Sequence, residues 1–336
     1  MRLFLFAVLA LLLTACQPAP KLHTEESYVF GTRVEVLVWG EPEDKARAAV
    51  GEVLREFDRL HRSYHAWQPS ELTALNEAIA AGRSSEVAAE LAQLLREAQV
   101  LSAQGDHLFD PGIGALVKLW GFHDDSFKAQ LPDAAQLATL LQVQPSIADL
   151  VIEGSRVSSR NRAVALDFGG YLKGVALDRA AAIFRRHGIA NALINIGGNV
   201  MALGSKGGTP WRVGIQHPRA STPLATLELR DGEAIGTSGD YQRYFELAGR
   251  RYSHLLDPRS GRPATGSQAV TVLIAPRPQA GMWSDWASKP LFIAGPQWRA
   301  LAGRLGLSHV LRIDAGGALE MTPEMQGRLK LEAPIR

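Results

Sequence analysis

The chain has 336 residues, with 36 Lys and Arg against 34 Asp and Glu, a net charge of +2. That near-balance excludes the basic footprint of a nucleic-acid binder, and 46% hydrophobic residues suit a packed core rather than a disordered chain. A single cysteine excludes an internal disulfide framework.

In chain order, residues 1–15 read as a signal segment outside the fold. Arg2 supplies the positive start, and residues 3–13 are apolar but too short to span a bilayer. Leu13-Thr14-Ala15-Cys16 reads as a lipobox, with Cys16 diacylated as the new N-terminus. The expected location is extracytoplasmic (periplasmic), anchored to the membrane through Cys16. Gln17 after the cysteine favours the outer membrane in a Gram-negative cell. Residues 16–26, with two prolines, read as a lipidated tether, and 27–336 as one domain.

Alternation at 34–39 predicts a strand, and apolar spacing predicts helices over 42–61 and 86–104. A turn at Asp110-Pro111-Gly112 precedes an apolar helix reaching Trp120. Residues 161–170 read as a strand running into a glycine turn, 173–187 as a helix, and 192–196 as a strand stopping at Gly197-Gly198. Short strands are expected at 211–216, 226–229 and 234–236, then 270–275 and 309–313. Thr237-Ser238-Gly239-Asp240 reads as a polar turn ahead of a hairpin broken at Ala248-Gly249-Arg250. Helices gather early and strands late, so the fold class is α+β, with a helical N-terminal part and a mixed β-rich C-terminal part.

Four clusters carry candidate chemistry. Thr237 to Asp240 sets hydroxyls beside glycine, where backbone N–H groups can approach a phosphate. Downstream, His254 lies three residues before Asp257-Pro258-Arg259, a titratable group beside an acid and a base. Gly169-Gly170 opens a helix near Lys173, and helix starts favour anions. Gly197-Gly198 ends a second apolar strand; a plain hairpin turn explains it equally. Asp285 suits a magnesium ion that prefers oxygen donors, although Ser284 or Asp285 would also serve as a helix N-cap. The sequence has no GxxxxGK[ST], GxGxxG, HExxH or CxxC, which removes the P-loop, Rossmann, zincin and redox-cysteine readings.

Taken together and in order, these clusters resemble the ApbE-type FAD:protein FMN transferases. The resemblance runs through Phe30-Gly31-Thr32, then Tyr64 with Ser70-Glu71-Leu72 and Asn76. It continues through Phe109-Asp110-Pro111, Trp120-Gly121-Phe122, Asp167 to Asp178, Asn195 to Asn199, Thr237 to Asp240, and His254 to Gly261. It implies an ApbE-like fold enclosing an FAD cleft. The implied reaction moves the FMN moiety of FAD onto a threonine hydroxyl of an acceptor redox protein, with release of AMP. The implied acceptor is a membrane respiratory or electron-transfer subunit. By resemblance, Thr32, Tyr64, Asp110, Lys173, Gly197, Gly198, Thr237, Ser238, Gly239, Asp240 and His254 hold FAD. Catalysis is carried by His254, with Asp257 orienting it or nearby backbone and Lys173 adding charge. The implied Mg2+ sits on Gly170, Asp285, Ser288 and the residue four after Asp285.

At that last position the family pattern has threonine and this chain has Lys289. A protonated lysine has no lone pair to give a metal. Three arrangements are compatible with the sequence. Lys289 points away and Ser288 supplies an oxygen, or Lys289 stands in for part of the metal's charge. In the third, the site is degraded, leaving an FAD-binding or FAD-hydrolysing lipoprotein with weak or no transfer.

Overall fold

The computed structural model describes residues 20–124 and 128–332, so the signal segment and Cys16 lie outside the described residues. Its centre is an eight-stranded antiparallel sheet whose spatial order follows the chain. The strands are β1 (Leu22–Val29), β2 (Thr32–Trp39), β3 (Ala192–Ile196), β4 (Asn199–Leu203), β5 (Ala234–Gly239), β6 (Ser267–Ile274), β7 (Val310–Asp314) and β8 (Leu319–Met321). The expected tether therefore ends earlier than residue 26: Leu22 to Val29 pair in register with β2 along its whole length.

Alternation sorts each strand onto two cores. Val34, Val36 and Val38 of β2, Ile194 and Ile196 of β3, and Val270 and Val272 of β6 bury on the helical face. Leu193, Ile235, Leu273 and Ile313 bury on the other. There they meet a three-stranded sheet of Trp211–Gln216, Pro223–Leu229 and Leu329–Leu331. The helical layer holds α1 (Glu43–Ser63), α2 (Glu71–Ala80), α3 (Ala89–Gln104), α4 (Gly114–Leu119), α5 (Ala134–Val143), α6 (Leu172–Arg186), α7 (Ala280–Ala294) and α8 (Trp298–Arg304). No helix among the described residues is long and apolar enough to cross a membrane.

Two expected elements differ. Residues 161–170 form no strand beyond a bridge between Ala165 and Ile113. Their backbone pairs instead with a loop and a side chain. Gly114 N–H donates to Ala165 O at 2.7 Å, Asp167 N–H to Pro111 O at 2.9 Å, and Leu166 exchanges two bonds with the Asn76 amide. Thr237-Ser238-Gly239 is not a turn but the last half of β5, paired with β6 up to Gly239↔Ala269. The hairpin that follows, Tyr244–Leu247 with Arg250–Ser253, turns at Ala248 and Gly249, both at positive φ.

Candidate active site

Two chain reversals meet at one end of the sheet. Phe30-Gly31 joins β1 to β2, and Gly197-Gly198 joins β3 to β4, each pair at positive φ. Thr32 packs against Gly197, and a side chain there would strike Thr32. Alongside them β5 runs on past its pairing with β4. Thr237 N–H donates to the Asn199 side-chain oxygen at 3.3 Å, and the Thr237 and Thr271 hydroxyls share a 2.9 Å bond.

Against this end lie α6 and α7, which cross glycine on glycine. A Cβ on Gly174 would sit 2.7 Å from the Asp285 Cβ, and one on Gly281 would sit 2.6 Å from Gly174 O. A Cβ on Gly236 of β5 would approach Asp285 N to 2.8 Å, so the same helix also rests directly on the strand. Each helix caps the other. Asp178 of α6 accepts from Gly281 N at 2.9 Å and Met282 N at 2.8 Å, at the start of α7. Burial lifts the Asp178 pKa to about 6. In return Asp285 Oδ2 accepts from Gly174 N at 2.8 Å, in the first turn of α6. Ser284 and Asp285 are therefore interior residues of α7, and the N-cap reading of them fails: Asp285 caps the neighbouring helix rather than its own.

One turn after Asp285, Lys289 folds back on it. Its Nζ donates to Asp285 O at 2.7 Å and to Asp285 Oδ1. Ser288 Oγ donates to the same carbonyl at 2.8 Å and shares a 2.7 Å bond with Ser238 Oγ. Lys289 is only 9% exposed, so the arrangement in which it points away is not the one found. Burial pulls its pKa below the usual ammonium value, Asp285 opposes that, and the Lys173 charge adds to it.

The fit of a divalent ion can be tested on these contacts. Magnesium asks for octahedral oxygen donors at about 2.1 Å. Both carboxylate oxygens and the carbonyl of Asp285 already take protein donors, and one donor is a cation. Two unit charges about 4 Å apart repel by roughly 4 kcal/mol at an effective dielectric near 20, and a divalent ion doubles that. Among the described residues, no group of three or more His, Cys, Asp or Glu could hold a metal. The donor set does not fit the ion expected from the sequence. Gly170 lies in the turn before α6, where a Cβ would come within 2.8 Å of the Phe109 ring.

His254 follows the hairpin and feels the positive charges of Arg243, Lys173 and Lys289. Burial first, then these cations, lower its pKa to about 3. Its Nδ1 lies 3.1 Å from Arg243 O, and a carbonyl can only accept, so Nδ1 carries the proton and Nε2 the lone pair. Arg243 also donates to Phe122 O at 3.0 Å and sits near Asp167, which accepts from Gly169 N at 2.8 Å. Beside this cluster opens a cavity of about 130 Å³ lined by Arg219, Asp240, Arg251, Ser253, Ser267 and Gln268. Arg219 clasps Asp240 with two bonds of 2.7 and 2.6 Å.

Other expected site residues have structural partners. Tyr64 is buried and its hydroxyl donates to Glu90 at 3.0 Å, within a group that includes Arg59 and Arg179. Asp110 accepts from Gly112 N, Ile147 N and Ser146 Oγ, which ties two loops together. Burial raises its pKa. Of the two roles expected of Asp257, the one found is toward nearby backbone, at Arg259 N. Its carboxylate pairs with Arg259, at 2.8 Å to Nη2, and holds its own turn. Trp120 donates to Gly261 O at 2.7 Å and stacks near Phe245 and Tyr252, so that motif fixes the hairpin rather than a ligand. Sequence reasoning missed Arg243, Arg219, Asn199 and the capping role of Asp178. Asn199 was visible as the last residue of its cluster; the two arginines carried no local signal.

Paired glycine turns and hydroxyls on a strand end, with lysine and imidazole groups within electrostatic reach of one another, are an arrangement that suits a phosphate-bearing ligand. The ApbE family profile matches residues 30–311, and the chain belongs to the ApbE family. It is 44% identical over 314 residues to an FAD:protein FMN transferase of Rhodobacter capsulatus, covering 93% of this chain and 59% of that relative's length. It is 30% identical to an FAD:protein FMN transferase of Klebsiella pneumoniae, over 84% of this chain and 82% of the relative. The fold resembles the crystal structure of the Thermotoga maritima ApbE protein. There the TM-score is 0.83 with 28% identity, over 92% of this chain and 99% of the other.

Proposed function

We propose that the protein transfers the FMN part of FAD to a threonine hydroxyl of an acceptor protein. The threonine oxygen attacks the FMN-side phosphorus, the bond from that phosphorus to the AMP oxygen breaks, and AMP leaves. The observation that carries this reading is the convergence of Lys173, Lys289 and a neutral His254 beside the Ser238–Ser288 hydroxyls, in a chain so similar to named FMN transferases.

Within it the residues divide the work of a phosphoryl transfer, which is positioning and charge neutralisation. Lys173, at the start of α6, and Lys289 offset the diphosphate's charge. The unprotonated Nε2 of His254 takes the acceptor's proton, and the incoming phosphates counter the cations that depress its basicity. The acceptor is a membrane respiratory or electron-transfer subunit, and the enzyme works outside the cytoplasm, held to the membrane by lipidated Cys16.

An in-gel fluorescence assay tests the reaction. Protein lacking residues 1–16 is mixed with FAD and a threonine-bearing acceptor domain, in EDTA and in Mg2+. A covalent fluorescent acceptor band, lost in His254→Ala, is the expected result. FAD binding without a band under either condition would leave an FAD-binding module. For the anchor, Cys16→Ser should abolish palmitate incorporation in cells.

A further inference from the structure

Lys289 holds a place that the transfer reaction alone does not explain. It lies in the middle of α7, nearly closed off from solvent, with its ammonium on two oxygens of Asp285. An ammonium has three donors, and among the described residues two are taken. Lys173 and His254 lie close enough to feel its charge. Asp285 is itself locked by the Gly174 N–H, so the pair cannot swing apart without uncapping α6. A buried charge this well held is a fixed positive point, preorganised for an anion.

We propose that the Lys289 ammonium is the resident cation of this site, taking the position of a divalent ion against the diphosphate of FAD, so that FAD binds without added metal. The identity of the ligand rests on the flavin reading above. The physical claim is that Asp285 positions a cation of the protein's own, where threonine at 289 would leave its oxygens open to a metal. Of the three arrangements compatible with the sequence, this is the second.

Two measurements on the full chain, prepared in EDTA, test it. The first is FAD titration with and without Mg2+. The second is electron paramagnetic resonance of added Mn2+, which reports metal binding with no need for activity. Wild type should change its FAD affinity by less than about threefold on adding Mg2+, well under one decade of Kd, and should leave Mn2+ free. Lys289→Met should weaken FAD binding in EDTA by about tenfold or more, with Lys289→Arg recovering part of the loss. Lys289→Thr should bind Mn2+ and acquire Mg2+-dependent FAD binding.

Bound Mn2+ in wild type that disappears in Asp285→Ala would overturn the proposal. So would a gain of about tenfold or more in wild-type FAD affinity with Mg2+. Both results need only a folded wild type or a folded Asp285 variant. Tight FAD binding in EDTA upholds the proposal even where no acceptor is modified, because only the transfer reading then fails. Absence of FAD binding under both conditions removes the flavin reading and this proposal with it.

Discussion

At His254 the tautomer follows from one contact. Arg243 O accepts from Nδ1, so Nε2 is the basic nitrogen, and burial, helped by the cations nearby, keeps the ring neutral. A base with a pKa lowered to about 3 in the free protein does not protonate at the ordinary imidazole value. The rate of flavin transfer per FAD at low FAD should therefore lack an acid limb near pH 6.5 and stay level between about pH 6 and 8. A limb near 6.5 in the kcat/KM profile would place His254 in an unperturbed setting and contradict the geometry. Trp286, next to Asp285, is fully buried edge-on against Trp283 in the helical core.

At the scale of elements, the decisive device is the mutual capping of α6 and α7 through Asp178 and Asp285. Removing the Asp178 carboxylate in Asp178→Ala should cost about 1–2 kcal/mol, as loss of a helix cap does, seen as a lower urea midpoint with an unchanged slope. Gly174→Ala inserts a methyl where Asp285 Cβ would lie 2.7 Å away. The helices must then separate, at a cost of about 1–3 kcal/mol typical of overpacking. Because Asp285 and Lys289 ride on α7, this variant should lose FAD affinity more than a distant substitution of equal destabilisation. The comparison is made by titrating FAD against both at matched stability. If affinity is unchanged, the helix crossing does not set the site.

At the scale of the whole molecule, the sheet is buried on both faces, with helices over one and a small sheet over the other. The site lies at the sheet end, where strands overrun their partners and helix starts arrive. Its depressed histidine couples the site to global stability. His254 is neutral when folded down to about pH 3, whereas in the unfolded chain it takes a proton near 6.5. The unfolded state thus binds more protons between those values, so this contribution is whole above about pH 6.5 and is lost as pH falls toward 3. Urea unfolding of wild type and His254→Asn should therefore show a stability difference that moves against wild type as pH drops through that window. A difference independent of pH would mean that His254 titrates alike in both states.

Much of this was legible in the sequence. Val34, Val36 and Val38 announce a strand by alternation, and the apolar face of 42–61 announces a helix, because both depend on periodicity within one segment. The order of glycine, hydroxyl and acidic clusters was enough to suggest a phosphate ligand and the family. What the sequence could not decide was which polar groups remain available. Tyr64, Asp110 and Asp257 are the right residue types, and distant partners claim each of the first two: Glu90 for one, Ser146 and Ile147 for the other. The 161–170 segment looks like a strand, but its hydrogen bonds go to Pro111, Gly114 and Asn76. Residues 1–16 speak only at the level of sequence. Local pattern determines elements because their geometry is local. Lys289 meets Asp285 within one turn of α7, but only the tertiary structure could bring Asp285 onto the α6 N-terminus and Ser288 onto Ser238, because those contacts join segments that the chain itself keeps apart, and burial then shifts the titration of Lys289 and His254.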